Sequence, residues 1–228
     1  MALILGIETS NPSAASPVRP GVALARGAAE VLGSEPIAPD RPNEDDLVPA
    51  IDRLFRRLSL GPRDLTHIAV SIGPGGFTAI RLAATAAKMI AEATGAQCLP
   101  IPTAGAVARR VDHTGPFAVA LASKGDSAYV TVFDPSRGGE PGRLMTSADI
   151  SGLDIGLIIA DQFFPPAMRA AAEERGIPVR PPVFDPVAVI EAALSGSVAP
   201  VDPAALLPLY PREPEAVTKW RKLHPPVS

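Results

Sequence analysis

Residues 77 to 94, FTAIRLAATAAKMIAEAT, constrain this chain more than any other stretch, because at helical spacing they leave only one narrow polar stripe. Arg81, Thr85, Lys88 and Glu92 make that stripe; Ile80, Ala83, Ala84, Ala87 and Ala91, with Leu82, Ala86, Met89 and Ala93, cover the rest. A helix apolar nearly all round must be buried on more than one side. One side can lie on the chain's own sheet, and the other needs a second helix or a second protein, which the alanines let approach closely. Immediately before it, SIGPGG ends a strand-like run in three glycines and a proline. Such a turn either cradles an anion on free backbone N–H groups or supplies a positive φ that launches the helix. The P-loop pattern G-x-x-x-x-G-K-[ST] fails, since Phe77 follows the glycines and no lysine opens the helix. G-x-G-x-x-G fails as well, because Gly73, Gly75 and Gly76 lead into Phe, Thr and Ala. The turn reading is favoured.

The flanking segments alternate strands and helices. ALILGIE and GVALARG predict an antiparallel hairpin with a long tip, TSNPSAASPVRP, whose prolines continue neither strand. Leu47, Ile51, Leu54 and Leu58 recur at helical spacing, with Val48 and Phe55 widening the stripe. The acids Glu44 to Asp46 suit that helix's N-terminus, and Pro49, tolerated only in a first turn, puts the cap at Asp45 or Asp46. LTHIAVSIG reads as a buried strand, AQCLPIP as a short strand and TAGAVARRVDH as a short helix. From Gly115 the series restarts: PFAVALAS and AYVTVFD as a hairpin, IGLIIAD as a buried strand, then two helices closed by Gly176 and Gly196. A hairpin opens each half and helices follow it. Two similar α/β lobes are therefore expected, over residues 1–103 and 104–205, with a tail at 206–228.

Composition narrows the function classes. At 228 residues, 46% hydrophobic and 20% charged, the chain is globular. A net charge of −3 gives no field to hold a polyanion unaided. Cys98 is the single cysteine, which excludes an intramolecular disulfide and reads as a small buried hydrophobe. MALILGIETS lacks a basic leader region, and no run reaches the ~18 apolar residues of a membrane span, so the cytoplasm is the expected compartment and no membrane is a partner. His67, His113 and His224 lie in separate segments with no metal-ligand spacing, and no metal site is expected. Ser71 and Ser123 have no identifiable base, so no catalytic residue is assigned. Glu8, Thr9 and Ser10 close the first strand, where actin-like and sugar-kinase-like ATPases hold phosphate and metal; a solvated turn is the alternative.

LILGIETS, GPGGFTAIRLAATAAKMIA, SKGDSAYVTVFD and LLPLYPREPEA occur in the order seen in the TsaB (YeaZ) family, which the chain resembles over nearly its whole length. Gly73 to Arg81 is the most specific part. The resemblance implies an α/β, actin-like and Hsp70-like two-lobed fold, each lobe a mixed sheet with flanking helices. It implies a non-catalytic subunit that dimerises with a TsaD-type transferase, alongside a TsaE-type ATPase, in threonylcarbamoyladenosine modification of tRNA position 37. A homodimer through the same helices is the other pairing, and tRNA is met only through the complex. No cofactor would be held tightly by this chain, with ATP or ADP belonging to the complex. The implied contact helices match Asp46 to Leu58 and Phe77 to Thr94, with Leu47, Ile51, Leu54, Phe77, Ile80, Arg81, Ala84 and Ala87 as contact residues.

The chain departs from the family pattern at several points. Glu8 replaces the usual aspartate, Asn11 to Pro20 is an insertion, Asn43 or Glu44 stands where a histidine is common, and Ala122, Ser123 and Lys124 replace a DAR element. The competing function is an independent small ATP-dependent phosphotransferase or ATPase of the same fold. It would use Glu8, Thr9 and Ser10 with the turn at Gly73, Gly75 and Gly76.

Overall fold

The computed structural model describes residues 2–27, 30–37, 46–213, 217, 220, 221, 223 and 224. Asn43, Glu44 and Asp45 lie outside them, as does most of the tail. The first half contributes β1 (Leu3–Glu8), β2 (Gly21–Arg26), β3 (Glu30–Pro36), α1 (Leu47–Arg57), β4 (His67–Gly73), α2 (Phe77–Thr94), β5 (Gln97–Pro102) and α3 (Thr103–Ala108). The second contributes β6 (Phe117–Lys124), β7 (Ser127–Asp134), β8 (Gly138–Gly139), β9 (Arg143–Met145), α4 (Ser147–Ser151), β10 (Leu157–Ala160), α5 (Pro166–Glu174), β11 (Val179–Arg180) and α6 (Pro186–Leu194).

The strands form two sheets ordered β3-β2-β1-β4-β5 and β11-β10-β6-β7-β8, with β9 also on β7. In the first, β1 is antiparallel to β2 and parallel to β4, which is parallel to β5. In the second, β6 is antiparallel to β7 and parallel to β10, which is parallel to β11. The second half thus repeats the strand order and directions of the first, with the two short strands β8 and β9 in the place of β3. The expected mixed two-sheet α/β fold is present, and the three helix-closing glycines, Gly95, Gly176 and Gly196, have φ of 79°, 66° and 76°. Asp46 stands at the α1 N-cap as expected, although its carboxylate binds the Arg53 guanidinium at 2.9 Å. β3 has no signature in the sequence: it is an edge strand with exposed Glu30, half-buried Glu35 and Gly33 at its centre, without an apolar alternation.

Strand alternation divides each sheet between two covers. Leu3, Leu5 and Ile7 of β1 join the core under α1 and α2 on one face. Ile4 on the other face packs with Val189, Ile190 and Ala193 of α6. In the second sheet Ala118, Ala120 and Ile158 face Met168 and Ala172 of α5, whereas Val119, Leu121 and Ile159 face Ala104 and Val107 of α3. The helices therefore cross. α3 follows the first sheet and covers the second, while α6 follows the second and covers the first. Leu206, beyond α6, is also wholly buried in the core of the first sheet, so the packing units interleave along the chain.

Gly6 is where α6 comes closest to β1: a Cβ there would sit 2.5 Å from the Pro186 carbonyl oxygen and 2.6 Å from Ile190 Cγ1. We expect Gly6→Ala to lower stability by about 1–3 kcal/mol through overpacking. Gly105→Ala in α3, where a Cβ meets nothing within 4 Å, should raise it by about 0.5–1 kcal/mol. Urea unfolding midpoints of the two variants measure both effects, which have opposite sign.

Candidate functional site

β1 ends at Glu8, and Thr9 and Ser10 follow it into the loop that leads to Asn11. Glu8 is wholly buried, and its Oε1 accepts from the Ser10 backbone N–H at 2.7 Å and from Ser10 Oγ at 2.6 Å. Its Oε2 is buried and has no partner among the described residues. Burial pushes the Glu8 carboxyl above its ordinary range, opposed only in part by the Ser10 bonds. Thr9 Oγ1 donates to the Ala79 carbonyl at 3.3 Å, which ties the same turn to α2. This carboxyl is an inward-facing group held by its own loop.

The glycines have local reasons. Gly73 has φ 108°, the positive value that the turn reading required. A Cβ on Gly75 would lie 2.1 Å from the Ser10 carbonyl oxygen, and the Gly76 N–H donates to that same oxygen at 2.6 Å. The Gly76 N–H is thus occupied by the β1 loop.

A cavity of about 220 Å³ separates Asn11–Ala14 and Gly75–Gly76 of the first lobe from Ala122, Ser123, Asp161 and Phe163 of the second. Ligand pockets are usually about 300–1,000 Å³. The lining includes no lysine or arginine, and burial raises the pKa of its one carboxylate, Asp161. A triphosphate needs cations or free N–H donors. These residues do not fit the nucleotide that an actin-like fold implies. The inserted Asn11–Pro20 tip narrows the rim further: Ala15 N–H donates to Gln162 Oε1 (3.1 Å), Gln162 Nε2 to the Ser13 carbonyl (2.8 Å), and the Phe184 N–H to Ser16 Oγ (3.2 Å). A larger cavity, about 770 Å³, opens between α3 and β7 with Phe117, Tyr129 and Phe133 among its walls; neither Glu8, Thr9, Ser10 nor any of the three turn glycines lines it.

The side chains of the two expected contact helices divide between the core and the solvent. Leu47, Ile51, Leu54, Ala84 and Ala87 are buried in the chain's own first core, and Ile80 is buried beneath the Gly73 turn. With this side α1 and α2 cover the outer face of the first sheet. Phe77 and Arg81 are exposed as expected. The solvent side of α2 instead carries Thr78, Leu82, Thr85, Met89 and Ala93, one stripe at helical spacing, with Leu82 38% and Met89 68% exposed. Val48 of α1, 57% exposed, adds to the outward apolar set. At the N-terminal end of α2 the Phe77 ring packs on Tyr210, centroids 5.1 Å apart, and the Arg81 guanidinium lies 5.1 Å from the Phe77 centroid. The sequence showed two apolar sides but could not tell which of them the sheet would take.

Cys98 is wholly buried in the first core and its thiol pKa is pushed up by burial, the behaviour of a small hydrophobe. Among the described residues no three His, Cys, Asp or Glu side chains gather as metal ligands, and no helix is long and apolar enough to cross a membrane.

A carboxyl whose folded pKa is raised stabilises the fold fully below its unfolded pKa, near the ordinary 4.5 for Glu8, and loses that contribution as pH rises through the folded value. Glu8→Gln keeps the Ser10 acceptor and removes the titration. We expect Tm of this variant to exceed wild type at pH 7 and to converge with it near pH 4; an offset independent of pH would contradict the buried-acid assignment.

Residues 27–138 match the family model described as TsaD, tRNA N6-adenosine threonylcarbamoyltransferase. Two solved structures have the same fold. One, a protein from Pseudomonas aeruginosa described as uncharacterized with similarity to peptidase YEAZ, is 19% identical, with a TM-score of 0.68 over 93% of this chain and 100% of that one. YeaZ from Pseudomonas aeruginosa is 17% identical, with a TM-score of 0.67 over 92% of this chain and 100% of that one. These likenesses establish that the chain shares the fold of these proteins, two mixed sheets with flanking helices. Motif order, matched segment and fold agree on one relationship: this chain resembles the TsaB (YeaZ) family over nearly its whole length.

Proposed function

We propose that this chain is a non-catalytic partner subunit that dimerises through the first lobe with a TsaD-type transferase and supports threonylcarbamoyladenosine modification of tRNA position 37. The observation that carries the reading is the outward stripe of α2, where Leu82 and Met89 stand exposed on a helix whose opposite side is already buried. Phe77 and Arg81 extend the surface at one end and Val48 adds to it from α1. Thr85 between Leu82 and Met89, and Ala93 one turn beyond, are small and allow a second helix to pack closely. A TsaE-type ATPase and tRNA join through the complex, and ATP or ADP belongs there too, with no cofactor held tightly by this chain. A second copy of the chain is the competing occupant of the stripe.

The competing function, an independent ATP-dependent phosphotransferase, draws no support from the cleft. Glu8 is turned inward, the Gly76 N–H is occupied, and the cavity between the lobes has no lysine or arginine. A small subunit acting through differential contacts would favour the competent state of its larger partner.

The test is reconstitution of threonylcarbamoyladenosine formation with the cognate TsaD-type and TsaE-type proteins, with and without this chain and its variants. The double variant Leu82→Arg, Met89→Arg should keep the wild-type Tm and weaken binding to the large subunit by at least about tenfold. Product formation should fall with it. Ala84→Arg, which puts a charge into the first core, should instead lose the folded state. Wild-type binding and product yield with the double variant would remove this surface from the interface.

A further inference from the structure

The segment after α6 touches both regions described above. Leu206 is wholly buried in the first core, and the Leu209 N–H donates to the Ile72 carbonyl, 2.8 Å, at the end of β4. Tyr210 then lays its ring on Phe77 at the exposed start of α2. Two residues on, Arg212 enters the second lobe. One guanidinium nitrogen donates to the Ala122 carbonyl, and another to the Ser127 carbonyl at 3.0 Å and to Ser127 Oγ at 2.9 Å.

What Arg212 grips is a distorted turn. Ala122 has φ 51°, a left-handed conformation that a residue with a Cβ adopts only at a cost. The pairing of β6 with β7 shifts register between Leu121 and Lys124, and the Ser123 hydroxyl is buried without a partner among the described residues. Ala122 and Ser123 form part of the second-lobe wall of the 220 Å³ cavity. Among the described residues Arg212 faces no carboxylate; carbonyl and hydroxyl oxygens alone hold it, and burial lowers its pKa. Its place and the shape of the turn therefore fix each other. The link back to Tyr210 is short and stiff, since Pro211 locks its own φ and restricts the residue before it.

We propose that Arg212 is a positioning residue for the β6–β7 turn, and that Tyr210, Pro211 and Arg212 form a strut carrying any displacement of the Phe77–Tyr210 pair on the outer helix surface to the cavity wall at Ala122 and Ser123. A protein docked against Phe77 would thereby set the shape of the inter-lobe cavity from outside. What docks rests on the partner-subunit reading, whereas the linkage is a property of the free chain.

Hydrogen exchange by mass spectrometry on the full-length free chain tests it, following the amides of residues 120–128. Arg212→Ala should speed their exchange; Tyr210→Ala, altered only at the far end of the strut, should do so by about fivefold or more, the low end of ordinary site-to-site coupling. Tyr210→Phe, which keeps the ring, should behave as wild type, and amides of β1 and β10 should not change in any variant. The linkage is overturned if Tyr210→Ala and Phe77→Ala alter only residues 72–80 and leave 120–128 at the wild-type rate. Unchanged exchange at 120–128 in Arg212→Ala would remove Arg212 as the positioning residue. If Arg212→Ala does not fold, the Tyr210 pair decides alone. Failure of a TsaD-type protein to bind would refute the partner reading without touching these exchange rates.

Discussion

The crossing of α3 and α6 is the constraint on which the rest of the molecule depends. Each sheet buries one face under helices of its own half and the other under a helix from the opposite half. Arg110, just beyond α3, clamps the exchange: its Nε binds Asp185 at 2.7 Å, and its terminal nitrogens bind both oxygens of Glu191. Asp185 also caps α6 by accepting from the Val187 N–H at 2.9 Å. One carboxylate thus fixes both the start of α6 and its place against α3. Pulling the lobes apart would expose two apolar sheet faces and break this partly buried, charge-assisted cluster.

That fixed arrangement explains why the cleft is so tight. Both sheets are anchored to the same pair of helices, and within the first sheet β1 and β4 are adjacent parallel strands, so the β1 loop meets the β4–α2 turn backbone to backbone. Glycine at 75 is what such an approach requires, and the Gly76 N–H satisfies the Ser10 carbonyl in the process. Glu8 is buried by the same closeness. The outer side of α2, by contrast, is left uncovered by the described residues, because the first sheet is already closed on both faces.

Much of this architecture was legible in the sequence, because strand runs and helical stripes report burial by elements adjacent in the chain. The hairpins, the strands at 67–73 and 157–160, and α2 with its Gly95 terminus all follow from local periodicity. β3 was not legible, since an edge strand rich in charge has no apolar signature. α4 is only five residues long, and its one local signal is the reciprocal Thr146–Asp149 capping box. At the candidate site, the periodicity of α2 showed two apolar sides without saying which the sheet takes, and the structure turns Ile80, Ala84 and Ala87 inward, because apolarity alone does not distinguish a sheet from a foreign helix. The positive φ of Ala122 and the reach of Arg212 come from contacts between residues some ninety positions apart, which local pattern does not encode.

The crossed helices also set an order of assembly. A ribosome delivers β1 to β5 first, with α1 and α2 ready to cover one face, but Ile4, Ala23, Ala69 and Leu99 on the other face wait for α6. Leu206, which completes the opposite core, emerges later still. Between the emergence of β5 and that of α6 the nascent chain therefore carries an uncovered apolar sheet face, the kind of surface that holdase chaperones bind. The lobe that is made first is the one that finishes last.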